Sequence, residues 1–500
     1  MQLRWAWAVV LSAGLGAWAQ APAPPPNAAE ALFAQARAAA RQLPPNAEPI
    51  YLSLIAQNEA MSQQPAAGDD AEAAFRQALA LPADARQDRD AVLGPALLAM
   101  SLAKQADRAM ALVHQTTPPA GLTKAELYDK VALFEAKGMT VEQVQAIVDE
   151  CQQSDGSFPF STVSLAATMK KSSAPEAWSG LVGQGYAAVE RVHDMTTALL
   201  ASSFLGVGHR LAPARDAQLA DALTALMQKL GTLASTPQEK QQGAMLGHSA
   251  MVLLGKVDPA RADELKASLP AFATPPPSIP SIGGITVAAD ANGKMDIHFP
   301  KYMSILFSAA DAANPEESVQ AAAALPAPQD RFRALEGVAG VLAKDHPKQA
   351  QEAADAAAAM IGSSISLKED PPPPASGSNL AANAAAMLGS NLETASELAG
   401  IQAKLGETDA AHDLAGRCLA AADQQAATLD AEYTVDALRQ PGKPEELPGR
   451  MFTLGAIYTS LAKVDFTEAA SHAANLRSPA VRVMVLASLA GGWKAEGAAK

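Results

Sequence analysis

Few residues in this sequence stand at spacings that could do chemistry. Gly247-His248-Ser249-Ala250-Met251 follows most of the G-x-S-x-G pattern of a nucleophile elbow, in which a sharp strand-to-helix turn lifts a serine hydroxyl for acyl transfer. The fifth position is Met251, which a tight elbow accommodates poorly, and Gln241–Leu246 before it is no buried strand. The plainer expectation is a helix running on to Leu254. Ser101-Leu102-Ala103-Lys104 and Ser460-Leu461-Ala462-Lys463 each place a lysine one helical turn after a serine, a pairing in which the amine activates the hydroxyl. Both fall where a helix is expected to end, and a cation there complements the helix dipole. No downstream S-D-N or K-T-G motif accompanies either. Gly183-Gln184-Gly185-Tyr186-Ala187-Ala188 matches the glycine pattern that cradles a dinucleotide. That chemistry needs a preceding strand, whereas Trp178–Val182 follows a helical segment.

The 8 histidines are scattered, without an H-E-x-x-H or Cys/His cluster. His193-Asp194, beside Glu190 and Arg191, reads as a solvated helix face, and Glu316-Glu317 and Glu445-Glu446 read as helix-start charges. Asp290-Ala291-Asn292-Gly293 touches on a calcium loop but lacks the alternating acidic ligands and the distal glutamate. Cys151 and Cys418 are expected as separate, buried thiols. No catalytic, cofactor-binding or metal-binding residue is therefore assigned, and the chain reads as non-enzymatic. The alternative is a hydrolase whose site, carried by Ser249 or by several carboxylates with a histidine, is assembled from separate helices.

The elements that would have to position such residues are helical. Hydrophobic residues make up 49% of the chain but aromatics only 5%, and alanine, the best helix former, carries much of the difference. So few aromatics leave little flat surface for a sugar-binding cleft. The net charge of -14 argues against nucleic acid and anionic lipid, which select for Lys and Arg. The opening residues suggest export. Arg4, the apolar run Trp5–Ala17 and the small-x-small triplet Ala17-Trp18-Ala19 form a signal peptide over 1–19, and the run is too short to anchor in a bilayer. The expected location is the periplasm or the medium. No later segment approaches a membrane span.

Proline divides the rest, because it lacks an amide hydrogen and clashes with the preceding turn. The expected organisation is a Pro-rich tether over 20–26, a helical repeat region over 27–270 and a Pro-rich loop over 271–300. A second helical region over 301–367, a Pro-rich linker over 368–379 and a C-terminal helical region over 380–500 follow. Inside the loop, Ile285-Thr286-Val287 and Met295–Phe299 flank Asn292-Gly293, which predicts one short β-hairpin near 285–299.

Elsewhere the helical pattern recurs. Leu325, Pro328, Arg331, Leu335 and Val338-Ala339 are matched, at the same offsets, by Leu476, Pro479, Arg482, Leu486 and Leu489-Ala490. Arg450, Leu454 and Ile457 stand 32 residues before Arg482, Leu486 and Leu489 and supply a third copy. In this pattern Pro breaks the chain between hairpins, Arg opens the next helix, and Leu with Val, Ile or Leu three residues on lines its buried stripe. Leu398–Lys404, Gly406 and Ala410–Ala422 form a helix–turn–helix. These hairpins resemble tetratricopeptide-type or HEAT-type repeats, although no unit carries the full tetratricopeptide signature of Trp, Leu-Gly, Tyr, Ala, Phe and Pro. The resemblance covers about a quarter of the chain and carries no family binding residue onto it. It implies an all-α fold of stacked antiparallel helical hairpins, an α-solenoid. Such a fold presents an extended surface to a protein or peptide partner.

Overall fold

In a computed structural model the protein is described over residues 27–492, apart from 83, 137, 171–173, 274–285, 290–294, 299–304, 307, 310–313, 369–389 and 441–442. The expected signal peptide, the tether and nearly all of the 368–379 linker lie outside the described residues. What is described is mostly helix, as expected.

The first half runs α1 (Ala28–Ala40), α2 (Glu48–Met61), α3 (Ala67–Leu79), α4 (Arg86–Leu102), α5 (Ala106–Gln115), α6 (Lys124–Glu135) and α7 (Val141–Ser154). It continues through α8 (Phe160–Lys170), α9 (Pro175–Ala188), α10 (Met195–Leu211), α11 (Asp216–Leu233), α12 (Pro237–Val257), α13 (Pro259–Ser268) and the single turn α14 (Pro270–Ala273). After a β-ribbon come α15 (Pro315–Ala323), α16 (Pro328–Leu342), α17 (Pro347–Ala358), α18 (Asn391–Leu405) and α19 (Thr408–Glu432). The last are α20 (Lys443–Leu461), α21 (Phe466–Ala474) and α22 (Pro479–Gly491). The ribbon pairs β1 (Thr286–Ala289) antiparallel with β2 (Met295–His298), Val287 opposite Ile297, where the alternating residues predicted a hairpin.

Local chemistry explains where the helices start and stop. Proline opens α9, α12, α13, α15, α16, α17 and α22, at the position where its missing amide hydrogen costs nothing. Thr140, Asp194 and Thr236 close reciprocal capping boxes on α7, α10 and α12. Gly406 ends α18 at φ 88°, a left-handed conformation that a Cβ would strain.

Arg331 and Arg482 are each the fourth residue of their helix, α16 and α22. Their Nε groups donate to the carbonyls of Leu325 (2.8 Å) and Leu476 (2.9 Å), each six residues earlier. The Arg482 Nη2 adds the Arg477 carbonyl at 3.1 Å. The guanidinium thus satisfies carbonyls left open where the preceding helix ends. Arg450 differs: it is the eighth residue of α20, and its side chain lies outside the described set. The third arginine doing this job is Arg89, the fourth residue of α4 and only 1% exposed, whose Nη2 donates to the carbonyls of Pro82 (2.8 Å) and Leu81 (3.4 Å). Its Leu–Arg spacing is eight residues rather than six, which hid it from a fixed-offset comparison.

The helices pack as hairpins in two rows. A front row runs α16, α18, α20, α22, α2, α4, α6, α8, α10, α12, each helix against the next. Each pairs with a back-row helix, in the order α17, α19, α21, α1, α3, α5, α7, α9, α11, α13, and each of the first nine of these also packs against the following front helix. Nine of these ten pairs are sequence neighbours. The exception is α22, the last helix, whose back-row partner is α1, the first. The C-terminal hairpins therefore stack directly onto the N-terminal ones, and one hairpin of the series is built from the two ends of the chain. Glycine permits close approach at this join: a Cβ on Gly491, at the end of α22, would lie 2.6 Å from Asn58 Oδ1 on α2. Asn46 Nδ2 completes the join by donating to the Leu438 carbonyl at 3.0 Å.

Candidate functional site

The motifs weighed in the sequence come to rest as structural parts. Gly247–Met251 lies in the middle of α12 without an elbow; Ser249 is exposed, and His248 Nδ1 pairs with the Phe272 carbonyl at 3.0 Å. A Cβ on Gly247 would lie 2.4 Å from the Phe272 ring, so this glycine serves packing against α14. Gly183–Ala188 forms the end of α9, and a Cβ on Gly185 would meet the Phe204 ring at 2.4 Å. Ser101 and Lys104 close α4, with Lys104 in the left-handed region at φ 60°. His193 is corrected from a helix face to the loop before α10, where the neighbouring Asp194 is the N-cap. Cys151 and Cys418 are unpaired, fully buried thiols, and burial pushes both upward, Cys418 to about 12. Among the described residues no group of His, Cys, Asp and Glu could hold a metal ion, and no helix is long and apolar enough to cross a membrane.

Several polar groups that no motif announced tie helices together. Asp129 on α6 accepts from the Thr162 amide (2.9 Å), the Thr162 hydroxyl (2.9 Å) and the Ser161 amide (3.2 Å), and so caps the start of α8. Burial dominates over those three donors and pushes its carboxyl up to about 7. Lys124 Nζ donates to the carbonyls of Val113, His114 and Thr116, each at 2.8 Å, and closes the end of α5. Two junctions join a tyrosine, a carboxylate and a histidine. Asp423 accepts from Tyr458 Oη (2.6 Å) and pairs with His472 Nδ1 (2.8 Å), spanning α19, α20 and α21. Glu150 does the same for Tyr128 (2.7 Å) and His114 (2.8 Å), spanning α5, α6 and α7. In both, burial and the adjacent carboxylate raise the tyrosine, so neither phenol is poised as a nucleophile.

The front row carries a grouping of acids and a base that chemistry could use. Glu336 on α16, Glu397 on α18 and Lys463 just past α20 are half-buried and act on one another electrostatically, with Glu393 one turn away on α18. Crowding by the surrounding helices disfavours every charge. It raises Glu336 well above the ordinary carboxylate range, and the charges of Glu397 and Glu393 add to the effect, while Lys463 opposes it. Glu397 is also raised and Lys463 is lowered, again chiefly by burial. Gly400 lies beneath the lysine, with room for a Cβ 3.7 Å from Lys463 Cδ. Farther along the row, Lys130 on α6 is lowered by burial against the pull of Asp90, Glu126 and Asp129. The sequence hid these groups because their partners lie on different helices; the only local sign was a charged residue on an otherwise apolar stripe. Ser249, on α12, is in neither group. No protein-family model, curated protein or solved structure matches the chain.

Proposed function

We propose that this is an exported, non-enzymatic helical-repeat protein of the tetratricopeptide or HEAT kind, which holds a protein or peptide partner in the periplasm or the medium. The observation that carries the reading is the front row. Ten helices stand side by side, and half-buried charges recur along them at Asp90, Lys130, Glu336, Glu393, Glu397 and Lys463. A series of hairpins joined through short turns is how solenoids build extended binding surfaces. The shared geometry of Arg331 and Arg482 supports a repeating unit. The test is capture from envelope extract by the immobilised chain, compared with a Glu336→Gln/Glu397→Gln variant. A defined partner held by the native chain and lost from the variant supports the reading; no specific capture at micromolar bait would count heavily against it.

A second reading, an exported hydrolase, draws on the perturbed Glu336–Glu397–Lys463 group, because acids and bases with displaced pKa values cluster at catalytic sites. Turnover of peptide or glycoside substrates that disappears in Glu336→Gln would favour it. Labelling by a serine-directed fluorophosphonate, lost in Ser249→Ala, would favour the version that uses the serine.

A further inference from the structure

The hairpin made of α22 and α1 is held differently from every other in the series. In the other nine, a short connection keeps the two helices together. Here the partners are the first and last of the described helices, and among the described residues the chain leaves α1 through Arg41–Ala47, which leads into α2. Its attachment is an apolar stripe and one arginine. Leu32, Phe33, Ala36, Ala39 and Ala40 are buried against α22 and α2. Arg37 reaches across to the neighbouring hairpin, donating from Nε to Asp70 Oδ2 on α3 at 2.6 Å and from Nη2 to Glu59 Oε1 on α2. The Glu59 side chain is completely buried, and its second oxygen, Oε2, has no hydrogen-bond partner. Without Arg37 the Asp70 carboxylate would lose this cation, and the Glu59 carboxyl would lose a hydrogen-bond donor where water does not reach.

We propose that α1 is a releasable clasp, locked by Arg37, whose undocking opens the split hairpin and uncovers α22 while the looped hairpins stay folded. The physical basis is that local opening starts where the fewest links must break. Among the described residues those links are, for α1, one loop, one face and one guanidinium. The helix it covers, α22, buries Ala480, Val481, Val483, Met484, Val485, Leu486, Ala487, Leu489 and Ala490, so nearly its whole circumference is apolar. Release of α1 would therefore show an apolar surface that the closed protein hides. This inference does not rest on the binding function proposed above.

Hydrogen exchange on the full chain, native and Arg37→Met, tests it. The native α1 amides should exchange at least about tenfold faster than those of α18, the reference helix in a looped hairpin. Arg37→Met should speed α1 by a further tenfold to hundredfold, roughly the range for losing charged hydrogen bonds, and leave α18 and α19 unchanged. Equal exchange of α1 and α18 in the native chain would overturn the clasp, as would acceleration of all helices alike by the substitution. Should Arg37→Met fail to fold, Arg37→Lys keeps the charge but not the fork. A selective, smaller rise in α1 exchange would then support the lock, and a uniform rise would refute it.

Discussion

The pair α18/α19 and the pair α22/α1 do the same structural job by different means. The first is a helix–turn–helix closed by Gly406, so its partners meet with little loop to order. The second brings together helices separated by nearly the whole chain, yet it occupies an equivalent place between front and back rows. Connectivity therefore does not decide which helices become a hairpin; complementary faces do. Loop length enters as entropy, which grows only slowly with chain length, so a well-packed face can offset a long closure. The cost falls on the manner of opening, because only the split pair can come apart without breaking a turn.

The sharpest way to break this comparison is to damage each pair equally. Phe33→Ala on α1 and Leu398→Ala on α18 both empty fully packed sites, 1% and 0% exposed, and each should cost about 2–5 kcal/mol. Urea titration should show one cooperative loss for Leu398→Ala, whereas Phe33→Ala should separate exchange of α1 from global unfolding; identical behaviour would erase the distinction. Next in size are Arg331→Met and Arg482→Met, each expected to lose about 1–3 kcal/mol through orphaned carbonyls. Because their contacts match, the two losses should agree within about 0.5 kcal/mol, the margin for independent equivalent sites.

A pH test bears on the clasp itself. Burial and Asp70 outweigh Arg37 at Glu59, and its carboxyl is raised from an ordinary 4.5 to about 8. Between those values the folded chain holds a proton that the unfolded chain has released. Stability from this group is thus complete below about 4.5 and declines as pH rises through about 8. Glu59→Gln should remove that decline, read as a flatter melting temperature from pH 5 to 9; an unchanged slope would show that Glu59 is ionised throughout. The smallest effect is expected at the looped pair, where Gly406→Ala should cost about 1 kcal/mol by forcing a Cβ into the left-handed region. The split pair has no counterpart to that change.

The sequence by itself determined whatever is decided within a few residues. Alanine-rich periodicity makes helix, proline marks helix starts such as Pro328 and Pro479, and alternating residues make the two strands of the β-ribbon. The same local logic placed Gly247–Met251 inside a helix and put Arg331 and Arg482 at equivalent starts. It failed where spacing varied, missing Arg89 and offering Arg450 instead. Only the tertiary structure decided that α1 pairs with α22, that Asp129 caps α8 and that Glu336, Glu397 and Lys463 gather on one row. The reason is that side-chain periodicity reports which face of a helix is buried but not against what. A stripe of alanine and leucine fits many neighbours, so the choice among them rests on the packing of the whole array.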